Sequence, residues 1–345
     1  MKVSWRAALR VLLIVEGLIC LSGCAGAPLG SPATRPNAGA ATVAYALTFQ
    51  SGPSGQIDEY STAPADNGAL VGTLILPTGY FAVQFATDLN GQLYVAACGP
   101  TAAGVFVYPP NSTGNATPSR TIEMGSCENI VSEMVAFAVD PSGQYLYVET
   151  PTPVDSPKTI SVYPASANRA LVPVRTLQLT TGWGDIAADA NGNIFVTGST
   201  SGFNGVINVY GPSATGTDAP VRTITFENEV PNGLAVDVNG NIFAMVAICC
   251  EGGDWAIEEF APGAEGSASP TNTINLPPLP EGSNSGLVRL DASANIFASV
   301  LVARPTSNPP IATSVIYGFG PSATGNAAPT VTINNGQVMS LFALN

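Results

Sequence analysis

Asp189-Ala190-Asn191-Gly192-Asn193-Ile194-Phe195-Val196 decides the reading of this chain. An Asp-x-Asn-Gly turn signal runs directly into a β-branched and aromatic stretch, the signature of a tight hairpin entering a strand. The same motif opens at Asp88 (DLNGQLYV), Asp140 (DPSGQYLYV), Asp237 (DVNGNIFA) and Asp291 (DASANIFA), the last with Ala294 in the glycine place. The five aspartates lie 52, 49, 48 and 54 residues apart. Asp bonds its own turn amides and Gly or Asn tolerates positive φ, so the repeated aspartates read as turn chemistry, not as calcium loops.

A second repeat alternates with the first. An apolar strand ends in an aromatic, a Pro/Ser/Ala/Gly loop follows, and a Thr-Ile-like strand comes after. The aromatic is Tyr60, Tyr108, Tyr163, Tyr210, Phe260 or Phe319. A period near 50 with four strands per unit specifies propeller blades rather than solenoid coils. The fold expected is all-β, a six-bladed β-propeller. With strands lettered a to d from the axis outward, the fourth blade is expected at 183–188, 194–198, 205–210 and 221–225. The fifth is expected at 233–236, 242–247, 256–260 and 271–275. The ends complete the count: 43–49, 56–60 and 72–76 supply b, c and d of a blade that lacks strand a. Residues 338–343 supply a strand a with no blade after it. Pairing these termini gives a 3+1 closure and leaves only short sheet edges.

Composition agrees. The chain has 345 residues, 46% hydrophobic and only 10% charged, with 36 Gly and 29 Pro favouring turns over helix interiors. It contains no histidine, which excludes a Ser-His-Asp triad, a Cys-His pair and any His-ligated zinc or haem site in this chain. Oxygen-ligated metals stay open. The net charge of −13 argues against nucleic acid as a partner, since a phosphate backbone would be repelled.

Residues 1–23 read as a signal peptide, with Lys2, Arg6 and Arg10 before a short apolar run, Val11 to Ile19. That run is too short for a stable bilayer span. The following Leu21-Ser22-Gly23-Cys24 resembles a bacterial lipobox, although Glu16 is unusual within such a run. The resemblance implies cleavage before Cys24 and its lipidation. Anchoring by two or more acyl chains is stable where one is marginal. Residues 1–23 carry a net +2, so −13 becomes −15 in the mature chain. Residues 24–42 then form a flexible Ala/Gly/Pro/Ser-rich tether with a reach of about 20 Å, and 43–345 form the propeller. By the same resemblance, Ala25 favours an outer membrane where the organism has one. The expected setting is the cell envelope.

The blade pattern resembles NHL-repeat and gluconolactonase-like six-bladed propellers over nearly all of residues 43–345. The latter use an Asn in a Pro-Asn-Gly context as an axial metal ligand, and Pro231-Asn232-Gly233 matches it. The resemblance then asks for a Glu and an Asp from other inner strands, and Glu133 and Asp185 lie near those places. Against the repeat aspartates, however, Asp185 falls one residue late and Glu133 two early, and one slip reverses a strand residue's facing.

Export permits disulfides. Cys98 and Cys127 border loops on one face and admit a bridge, while Cys249 and Cys250 admit a vicinal disulfide or free thiols. Four cysteines leave three pairings open. Arg120, Arg175 and Arg222 recur before Thr on outer strands and read as charges protecting sheet edges. Trp183, Trp255, Tyr80 and Phe203 share the d-to-a and b-to-c loop face with Glu128, Glu227, Glu229, Glu251 and Asp254. Aromatics beside carboxylates suit a carbohydrate, a cation or a basic peptide. Two functions follow as expectations. One is a membrane-tethered binding or scaffold module needing no cofactor, its partner a protein, peptide or carbohydrate. The other is a gluconolactonase-like lactone hydrolase using Ca²⁺ or Zn²⁺.

Overall fold

In a computed structural model, the described residues are 43–48, 55–125, 127, 136–150, 158–167, 172–179, 184–200, 204–248, 255–280, 283–304, 311–334, 336 and 339–344. They form six four-stranded antiparallel sheets, each following the chain in order from the axis outward except the first, which takes its innermost strand from the C-terminus. The architecture is a six-bladed β-propeller.

Ring closure is visible in one register. The C-terminal strand Met339–Leu344 lies antiparallel to Val43–Thr48, with Tyr45 opposite Ala343 and Ala46 opposite Phe342. Blade four has strands Ile186–Ala188, Ile194–Ser199, Gly205–Tyr210 and Arg222–Thr225. Its strand a is shorter than the sequence implies because the ladder is interrupted: the Asp185 amide donates to the Thr197 hydroxyl at 2.7 Å instead of to a carbonyl. Blade five has Glu229–Val236, Ile242–Ile248, Trp255–Phe260 and Asn272–Asn275. Its strand a begins four residues earlier than expected, since pairing resumes beyond a bulge between Pro231 and Gly233. In blade six, strands b and c run Ile296–Arg304 and Ile311–Phe319, three residues longer than the six-residue strands of blade two.

The core lies between blades, as six apolar layers of alternating strand residues. The Thr-Ile repeat shows why strand d matters. Its second residue, which is Leu74, Ile122, Leu177, Ile224, Ile274 or Ile333, is at most 2% exposed in every blade. The repeated aspartates carry out the turn chemistry. Oδ1 of Asp189 accepts the Asn191 and Asn193 amides, both at 2.9 Å, and its Oδ2 accepts the Asn193 side chain. Asp88, Asp237 and Asp291 repeat the two amide bonds. Ala294 keeps the glycine's left-handed conformation at φ 59°.

The loop of the second repeat is a latch between blades. Its glycine adopts positive φ and exchanges two backbone hydrogen bonds with strand d of the preceding blade. For Gly266 these are Thr225 N–H to Gly266 O at 2.8 Å and Gly266 N–H to Thr223 O at 2.8 Å. Gly114, Gly216 and Gly325 do the same. Two of the arginines before Thr join this latch and the third, Arg120, stacks on Tyr94 of its own blade, which corrects the reading of them as exposed edge charges. Arg175 donates to Ala214 O and Arg222 to Ala264 O, each in the next blade, while Arg120 and Arg222 lie over the rings of Tyr94 and Phe195. A guanidinium has more donors than a strand edge needs, and its flat face stacks on aromatics.

Candidate functional site: the axial cavity

The axis is organised by a column of the repeat. The residue two places before each turn aspartate is Ala86, Ala138, Ala187, Ala235 or Arg289, and Ala343 holds the same place in the closing strand. Each lies opposite an aromatic on its strand b: Tyr94, Tyr147, Phe195, Phe243, Phe297 and Tyr45. Five small residues around the axis leave room. All six places line one cavity of about 270 Å³, bounded by the six inner strands and reaching the a-to-b turns. Leu89 and Ala292, directly after two of the turn aspartates, line it on that side; Leu89 is exposed.

Arg289 is the one long side chain in this column. It reaches from blade six past blade five to Asp185 in blade four, Nη1 to Oδ2 at 2.6 Å and Nη2 to Oδ1 at 3.3 Å. Nη1 also donates to the Leu234 carbonyl at 3.1 Å and the Val288 carbonyl at 2.8 Å. Asp185 is buried, and its carboxylate accepts the Ile186 and Leu234 amides as well, each at 3.0 Å. Three inner strands are therefore tied together at the axis. The Arg289 side chain remains 21% exposed, and its Nε makes no hydrogen bond among the described residues.

This geometry corrects the metal reading. Asp185 was expected as a metal ligand beside Asn232 and Glu133. Both of its oxygens are instead committed to a guanidinium and two amides, so they are not available to a cation. The one-residue offset seen in the repeat is the cause: it places Asp185 against its neighbouring blades. Asn232 is the extra residue of the bulge, and its amide points back along its own strand to the Val230 carbonyl at 3.4 Å. Glu133 lies outside the described residues. No group of three or more Cys, Asp or Glu side chains converges among the described residues. Ca²⁺ or Zn²⁺ does not fit the residues that the structure places here.

The other candidates divide. Trp255 is only 8% exposed and packs in the layer between blades five and six, which corrects its assignment to an exposed binding face. Tyr80 turns inward and meets Phe106 edge-on at 4.9 Å. Glu229 is partly buried, and burial pushes its carboxyl up. Burial and then the charge of Glu229 push the carboxyl of Glu258, on strand c of the same blade, up to about 7. A disulfide joins Cys98 and Cys127, with Cα atoms 5.4 Å apart, tying the end of strand b to the loop leaving blade two. Cys24, Cys249, Cys250, Trp183 and Asp254 lie outside the described residues. Sequence reasoning missed Arg289, although aligning the repeats puts it in a column of alanines.

Comparison with known proteins supports the fold and no more. No family model matches the chain, and no curated protein does. Among solved structures, a protein of unknown function from Bacteroides caccae aligns with TM-score 0.55 at 10% identity, over 88% of this chain and 98% of that one. A luciferin-regenerating enzyme aligns with TM-score 0.50 at 13% identity, over 80% and 88%. The class defined is the six-bladed β-propeller. At these identities the likeness carries no activity across.

Proposed function

We propose that this protein is an exported, lipid-anchored propeller that acts as a binding module of the cell envelope, with the axial cavity as its ligand site. The observation that carries the binding role is the break in the axial ring. Five alanines open a cavity, and the sixth place puts a charged hydrogen-bond donor into it, held in one orientation by a buried carboxylate. A concave site that joins apolar walls to a few fixed polar groups is what small-ligand recognition needs. The anchor rests on the resemblance of residues 21–24 to a lipobox and on the apolar run before it.

A lactone hydrolase would need a cation to polarise the carbonyl. The carboxylate available for such an ion is already spent on Arg289, so the binding role is the better supported.

Labelling cells with an alkynyl fatty acid tests the anchor. Label and protein are expected together in the membrane fraction, and Cys24→Ala is expected to remove both. Native mass spectrometry of the protein purified from its own envelope tests the site. A bound small molecule that Ala86→Leu displaces is the expected result. An unlabelled protein overturns the anchor, and a ligand-free one that also ignores added extract overturns the binding role.

A further inference from the structure

The polarity of the cavity narrows what it accepts. Arg289 engages Asp185 end-on through Nη1 and Nη2. Its Nε–H and the remaining Nη2–H make the side-on edge of the guanidinium, a pair of parallel donors suited to an acceptor oxygen. The cavity lining combines the methyl groups and short aliphatic chains of Ala86, Ala138, Ala187, Ala235, Ala343 and Leu234 with the polar Thr87, Asp88 and Asn90 on the blade-two side. The fixed charge of Arg289 is paired with that of Asp185, and the lining already holds a further carboxylate, Asp88, which accepts from the Asn90 and Gln92 amides and the Tyr94 hydroxyl. A second buried anion beside Asp185 would add like-charge repulsion and desolvation cost, within a chain of net charge −13. A cation would meet the guanidinium, with the oxygens of Asp185 and Asp88 already engaged. At about 270 Å³ the cavity lies at the small end of ligand sites, which suits a short molecule.

We infer that the axial cavity takes a small uncharged ligand with an aliphatic body and a carbonyl-type oxygen, the oxygen accepting from the side-on edge of Arg289. This rests on the binding role proposed above and names its ligand class. The guanidinium supplies at the axis the positive, oxygen-seeking group that a metal ion supplies elsewhere, but without Lewis acidity strong enough to open an ester.

Three probes of the same length and different charge test it: pentanamide, pentanoate and pentylammonium, each titrated into the mature protein and followed by saturation-transfer NMR. Pentanamide is expected to bind, with pentanoate at least tenfold weaker and pentylammonium silent. Arg289→Met should abolish the pentanamide signal. Because that change strands Asp185 and threatens the fold, Ala86→Leu serves as the second variant. It fills the cavity from blade two, away from the ion pair, and is expected to remove binding while leaving the melting temperature within a few degrees of the parent. Pentanoate or pentylammonium binding more tightly, and being blocked by Ala86→Leu, would overturn the ligand class and leave the binding role standing. Silence from all three probes, with no ligand in the envelope-purified protein, would overturn both.

Discussion

The rim and the axis of this propeller are built on opposite rules. At the rim the blades follow one pattern, carried by all six strands d and by four of the loops. Strand d buries a Leu or Ile after Thr, and four glycines latch a loop to the blade before through the same pair of backbone bonds. At the axis one repeated column is uniform in five blades and broken in the sixth, where Arg289 crosses to Asp185. Repetition is what a ring of sheets needs in order to close, so the rim reports architecture. A departure from the repeat that converges with another, 104 residues away in sequence, has no part in making a blade and marks the place to look for function.

The contrast can be broken most severely at the closing strand. Removing residues 338–345 deletes strand a of blade one and leaves the edge of Val43–Thr48 unpaired. Loss of the cooperative thermal transition is expected by calorimetry, and a truncated chain melting near the parent would refute the closure. Uniformity of the rim is a milder test. Gly216, Gly266 and Gly325 each hold φ between 57° and 62°, where a Cβ costs about 1–2 kcal/mol. Substituting each by Ala should therefore cost a similar amount in urea denaturation, and widely different costs would show that the latches are not equivalent.

Glu258 sharpens the comparison by pH. Its carboxyl ionises near 4.5 when unfolded and near 7 in the fold. Between those values the unfolded chain gives up a proton that the folded chain keeps, so stability falls as pH rises through that window. A melting temperature that drops by a few degrees from pH 4.5 to 7.5, and a flatter profile in Glu258→Gln, are expected. The smallest effect belongs to Ala294, which holds φ 59° where the other turns have glycine. Ala294→Gly should stabilise by up to about 1 kcal/mol, measured by denaturant titration.

Most of the rim was legible in the sequence because turns and strand alternation are local. The Thr-Ile strand recurs with the aromatic and the Pro/Ser/Ala/Gly loop before it, and strand d of blade four, Arg222–Thr225, falls within one residue of where the pattern puts it. The axis was less legible. Asp185 looks like a metal ligand while its partner is unknown, and that partner is contributed by a blade 104 residues away. Trp255 looks like a surface aromatic because a strand's first residue is expected near a loop, yet the next blade covers it. The arginines before Thr read as edge charges because the stacking of one blade on the next is not written in any single repeat. Arg289 was the exception: its column was readable, but only by asking which place in the repeat fails to repeat.

Asp185 and Arg289 act as one unit across three blades. A double-mutant cycle with Asp185→Asn, Arg289→Met and the pair, measured by urea unfolding, tests it directly. Each single change is expected to cost about 3 kcal/mol, as for breaking a largely buried ion pair. The double variant is expected to cost less than the sum by about 2 kcal/mol, a coupling typical of residues in direct contact. Costs that add to within about 0.5 kcal/mol would contradict it.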